Sequence, residues 1–72
     1  MPRGRLPVLK HPRVERVLRG NGFEWTGGKG SHRKYERGER RVVVPCHPGR
    51  DIPPGTLDSI IEGAGKDREE FR

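Results

Sequence analysis

The chain has little of what usually holds a small domain together. Its one cysteine, Cys46, excludes an intrachain disulfide, so thiol usage gives no pointer to an oxidising compartment. Hydrophobic residues make up only 28% of the 72 and aromatic residues 6%, so the core must be assembled from few side chains. No apolar run approaches transmembrane length, and Met1-Pro2-Arg3-Gly4-Arg5 lacks the apolar stretch of a signal peptide. A cytoplasmic protein without membrane contact is the expectation. Acidic residues are also in deficit: 10 Asp and Glu face 16 Lys and Arg, a formal charge of +6 with pI near 10.5. That balance excludes little by itself but favours a polyanion, or an acidic protein, as partner.

What is plentiful is punctuation. The 11 Gly and 7 Pro together form a quarter of the 72 residues, near the level at which disorder competes with folding. Apolar residues in periodic segments argue for folding, in one small domain. Residues 1–10 read as a basic N-terminal arm, with Val8 and Leu9 as anchors, and residues 11–72 as the domain. Pro12 suits a first helical turn, and Val14, Val17 and Leu18 fall on one helical face. Glu15 and Arg19 can pair on a side facing water, and Gly20-Asn21-Gly22 stops the helix. Phe23-Glu24-Trp25-Thr26 alternates as a first strand with Phe23 and Trp25 inward, and Gly27 to Gly30 turns the chain.

Ser31 to Arg37 forms a second strand, with His32, Lys34 and Glu36 on one face and Arg33, Tyr35 and Arg37 on the other. Neither face is clearly apolar, so which one meets solvent stays open. Gly38-Glu39 gives a tight turn into a β-branched third strand, Arg41 to Val44, closed by Pro45. A second helix from about Pro54 to Glu62 carries Leu57, Ile60 and Ile61 on one face. Asp67 and Glu70 have the spacing of a capping box, with Arg68 to Arg72 as a last turn and Phe71 inward. The fold class is α+β: a two-layer domain of helix, three antiparallel strands and helix. The expected core is Val14, Val17, Leu18, Phe23, Trp25, Val42, Val44, Leu57, Ile60 and Ile61.

The chemistry available centres on His32. A histidine near a strand start is, by residue type alone, more often a solvated surface group. As chemistry, imidazole can take the proton of a ribose 2′-hydroxyl, whose oxygen then attacks the adjacent phosphate and cleaves RNA without a metal. Gly27, Gly28 and Gly30 allow close backbone approach, and Lys29, Arg33 or Lys34 can offset phosphorane charge. With Gly30 and Ser31 these cations form the candidate RNA-binding set. If the second and third strands pair, His47 falls near His32 and is a candidate acid. A loop histidine with no duty is the competing reading. Cys46, His47, His32 and His11 make a poor metal set, because paired ligand spacing is missing; no metal or cofactor is expected. The glycine-rich turn matches no nucleotide-binding loop, because no helix follows it. Arg3, Arg5, Lys10, Arg13, Arg16 and Arg19 form either a solvated face or a phosphate-tracking surface.

Gly22-Phe23, Gly30-Ser31-His32 with Tyr35, then Val44-Pro45-Cys46-His47, Ile52, Gly55-Thr56-Leu57, Ile60, Ala64-Gly65 and Glu70-Phe71 stand in an order and spacing that resembles the HicA toxin family. These are small RNases of bacterial and archaeal toxin–antitoxin modules. The resemblance implies a fold like a double-stranded-RNA-binding domain and mRNA cleavage with the catalytic histidine at His32. It also implies a HicB-like antitoxin as partner, covering the site. Lys34 stands where an apolar residue is common, Pro53-Pro54 stiffens the approach to the second helix, and the basic arm is long. A non-catalytic double-stranded-RNA-binding module is the alternative that charge and fold support equally.

Overall fold

The computed structural model describes residues 8–66 and 68–71. Residues 1–7 of the basic arm, with Arg3 and Arg5, lie outside the described residues, as do Asp67 of the expected capping box and Arg72. Six elements follow one another: α1 His11–Gly20, β1 Glu24–Lys29, β2 His32–Arg37, β3 Arg40–Pro45, α2 Pro54–Ala64, and a 3-10 turn at Arg68–Glu70. The strands lie in sequence order and all pair antiparallel, as short turns require. The α+β order expected from the pattern is the one observed.

Local chemistry fixes both helices. Proline stands in the first turn of each, where its missing N–H is no loss. Asn21 ends α1, its side-chain amide donating to the Val17 carbonyl at 2.8 Å, and the Phe23 N–H then bonds Leu18 O at 2.9 Å. Helix α2 runs to Ala64, two residues past the expected Glu62, and stops at Gly65 in the left-handed region, φ +68°. The segments preceding the two helices are joined: Ile52 N–H donates to Leu9 O at 2.8 Å, and Lys10 pairs with Asp51 at 3.0 Å.

Both helices cover one sheet face, chiefly over β3. Val14 and Leu18 from α1, Leu57, Ile60, Ile61 and Ala64 from α2, and Tyr35, Val42 and Val44 from the strands are all buried in one cluster. Leu9, Phe23, Ile52 and Phe71 belong to the same cluster; Phe71 turns inward as expected, while Val8, expected as an anchor, is 74% exposed. Val17 packs against the cluster but is only partly buried.

Three expectations are corrected. Trp25 is 55% exposed. It does face the helix side, being paired with buried Tyr35, but it stands on the edge strand, beyond the cover the helices give β3. Strand β1 extends through Gly27 and Gly28 to Lys29, so the turn narrows to Gly30-Ser31, and the extra residue is absorbed by a register shift between Trp25 and Gly27. Glu15, expected to face water, is buried at 3% exposure, because Arg33 and Tyr35 of β2 and Cys46 just past β3 meet it as hydrogen-bond donors, with Arg19 of its own helix as a longer ion-pair partner.

Candidate active site

Register decides which face carries His32. Tyr35 is buried among the helices, so Arg33 shares that side and His32, Lys34 and Glu36 point to the opposite, uncovered face. Lys29 pairs with His32 and Val43 with Lys34, which places all four on the same outer surface, with Val43 48% exposed. Arg41 meets Glu36 there at 3.7 Å.

Two backbone features hold His32 in position. Gly30 has φ +61° and Ser31 does not share the positive sign, the pattern of a two-residue type II′ hairpin turn. Gly28 is required by a close approach: a Cβ there would lie 2.1 Å from the His32 carbonyl oxygen. Its role is to let two strands meet behind the histidine. At the far side Pro45 has no N–H to give, and Cys46 N–H donates instead to Ser31 O at 2.6 Å, extending the ladder by one step. Cys46 turns into the core and His47, its neighbour, turns out. The His32 and His47 rings stand 6.2 Å apart between centroids, edge to face at 83°. Two exposed imidazoles at that separation, beside Lys29, form a site where one phosphodiester could meet a base, an acid and a cation.

Behind the sheet lies a polar knot built on Glu15. Its Oε1 accepts from the Tyr35 hydroxyl and from Arg33 Nη1 at 2.8 Å; its Oε2 accepts from His11 Nδ1 at 2.5 Å and from the Cys46 thiol at 3.5 Å. A carboxylate has about four acceptor positions, and all are used. Burial alone would raise the Glu15 pKa, but the bonds from Tyr35, His11, Arg33 and Cys46 outweigh it and hold it at about 2. Burial, reinforced by the Glu15 charge, pushes Tyr35 up to about 12 and Cys46 up to about 11. Arg19 completes the knot, donating to the Tyr35 oxygen at 3.2 Å.

The expected site residues thus divide between two surfaces. His32, His47, Lys29 and Lys34 come together on the open face, at the end formed by Gly30 and Ser31. Arg33 stands on the other face, bound to Glu15 and stacked 4.3 Å over the Trp25 ring. The four ligands weighed for a metal are split as well, His32 and His47 outside and His11 and Cys46 inside. His11, Glu15 and Cys46 do bring ligating atoms within 4.8 Å of one another. The carboxylate is already saturated by hydrogen bonds, however, and a guanidinium occupies one side of it, so the cluster fits a structural knot better than a dication. Sequence reasoning missed Glu15 as the anchor of that knot. Nothing in the helical pattern of α1 separates it from a solvated glutamate.

Fold and site together define a class: a small basic α+β domain presenting paired histidines and cations on an open antiparallel sheet. A family model described as HicA toxin of bacterial toxin-antitoxin matches residues 3–66. A relative in Pseudomonas fluorescens (strain Pf0-1), named "Probable mRNA interferase HicA", is 32% identical over 57 residues, covering 79% of this chain and 95% of the relative. The chain belongs to the HicA toxin family.

Proposed function

We propose that this toxin is an endoribonuclease that cleaves mRNA without a metal, with His32 as general base. The observation that carries the reading is the exposed His32–His47 pair at 6.2 Å on the uncovered sheet face. His32 takes the proton of a ribose 2′-hydroxyl. The 2′-oxygen forms a bond to the neighbouring phosphorus, the bond from phosphorus to the 5′-oxygen breaks, and His47 returns a proton to that leaving oxygen. Lys29 and Lys34, with the backbone of Gly30 and Ser31, offset the charge of the phosphorane. The products are a 2′,3′-cyclic phosphate and a 5′-hydroxyl. Family membership supports a second partner, a HicB-like antitoxin, acting with the toxin in the cytoplasm. The open basic face is the surface an acidic partner would cover.

The test is cleavage of end-labelled single-stranded RNA by purified protein in EDTA, with the ends of the products identified. His32→Ala should melt like the wild type and lose at least about a hundredfold in rate, the scale of one general base. His47→Ala should also slow cleavage strongly; a loss under about threefold would remove it from the mechanism. A His32→Ala protein that cuts at the wild-type rate would overturn the reading. Tight, salt-dependent binding to duplex RNA with no cleavage would favour the non-catalytic double-stranded-RNA-binding alternative.

A further inference from the structure

Trp25 is the one tryptophan in a chain poor in aromatics, and it is the aromatic residue left outside the core: Phe23, Tyr35 and Phe71 are buried while Trp25 is 55% exposed. A surface indole with no duty would be expected to be loosely held. This one is fixed from two sides. Its Nε1–H donates to the Gly27 carbonyl at 2.8 Å, and the Arg33 guanidinium lies 4.3 Å from the ring centroid. Arg33 is anchored in turn to buried Glu15 at 2.8 Å, so the ring orientation is set from the core outward. A flat ring held in place loses little entropy when a second flat group stacks on it.

Its surroundings name the ligand. Trp25 and His32 line one depression with Thr26, Gly27, Gly28 and Gly30. Trp25 belongs to the helix side of the sheet and His32 to the open side, but the glycines between them carry no side chains to wall the two apart. A strand passing His32 can therefore wrap this edge. The indole N–H is already committed to Gly27 and Arg33 covers one face of the ring, which leaves the other face as the contact for a ligand, and a π-face accepts any base. The chain's charge of +6 suits the polyanion that bears such bases. A base inside a duplex has both faces stacked already and cannot use the platform.

We propose that Trp25, backed by Arg33, is a stacking platform for one unpaired nucleobase of the substrate strand, setting which phosphodiester is presented to His32. The proposal rests on the ribonuclease reading and adds to it a binding subsite and a preference for single strands.

Because Trp25 is the one tryptophan, intrinsic emission reports this site alone. The probe is a fluorescein-labelled 2′-O-methyl RNA oligonucleotide, which cannot be cut, compared with the same strand carrying abasic positions. Label anisotropy reads binding and indole emission reads stacking. Quenching by the complete strand, with weaker binding and no quenching by the abasic strand, is the expected result. Trp25→Ala should bind about tenfold more weakly and Trp25→Phe should recover part of that loss. Binding by anisotropy that leaves the emission unchanged would overturn the platform, as would Trp25→Ala binding as tightly as wild type. If the ribonuclease reading fails instead, wild-type protein leaves unmodified RNA intact while the quenching remains. If only the platform fails, Trp25→Ala cuts with unchanged KM.

Discussion

Cys46 and His47 are adjacent in the chain and serve opposite faces of the sheet. The thiol is buried against Glu15 while the imidazole stands exposed 6.2 Å from that of His32. One extended step past Pro45 therefore ties the rear knot to the front site. Disturbing either is expected to be felt at the other.

The pH dependence of stability follows from Glu15. Its carboxyl is held at about 2, below the ordinary 4.5, so the stabilisation it gives is complete above pH 4.5 and is lost as pH falls towards 2. The difference is on the order of 3 kcal/mol. Tyr35 and Cys46 are shifted the other way, to about 12 and about 11, so their contribution holds below about pH 9 and is lost as pH rises through those values. Urea unfolding of wild type across pH should give a plateau with both shoulders. Glu15→Gln should lie lower on the plateau and lack the acid shoulder.

Cys46 should resist modification. Buried at 8% exposure with its pKa pushed up to about 11, the thiol is almost wholly protonated near neutrality. Reaction with a disulfide reagent at pH 8 should be at least about a hundredfold slower than for an unfolded cysteine. Adding urea to the unfolding midpoint should restore the rate; fast labelling of the native protein would contradict the buried assignment.

Gly28→Ala should harm the site without touching a charged group. The new Cβ would meet the His32 carbonyl at 2.1 Å in a backbone conformation of φ +137° that other residues avoid. We expect a loss of at least about 2 kcal/mol and a parallel loss of cleavage. Gly30→Ala, with φ +61° but open space around it, should lose only about 1 kcal/mol. Equal melting temperatures for the two variants would count against the strand-contact role of Gly28.

Arg33 separates a structural duty from an RNA-binding one. Lysine keeps the charge but not the planar group that meets Glu15 and covers Trp25. Arg33→Lys should lower the melting temperature by about 5–10 °C and change the Trp25 emission spectrum in the absence of RNA. A variant with wild-type melting and weakened RNA affinity would instead make Arg33 a phosphate contact.

The elements were largely readable because their signals are local. Prolines opening each helix, the i, i+3, i+4 stripes and the β-branched run Val42-Val43-Val44 each act within a few residues of themselves. What stayed hidden was set by neighbours distant in sequence. In strand β2, alternation places His32 and Tyr35 on opposite faces, but only the packing of Tyr35 against the helices makes the His32 side the open one. Trp25 obeys its strand pattern and is exposed because the helices sit over β3. Glu15 is buried because Tyr35, Arg33 and Cys46 converge on it, from eighteen or more residues away. The companion motifs around Val44 to His47 supplied in advance the long-range information that residue types in one stretch lack.

The two tight turns, at Gly30-Ser31 and Gly38-Glu39, have a kinetic consequence. They close the entire sheet through contacts between chain neighbours, and loop closure over such short spans takes little entropy. The His32–His47 pair, carried by these hairpins, is expected to form ahead of the joining of Glu15 to its strands. Stopped-flow dilution from urea, followed by Trp25 emission, should show a main refolding phase within milliseconds.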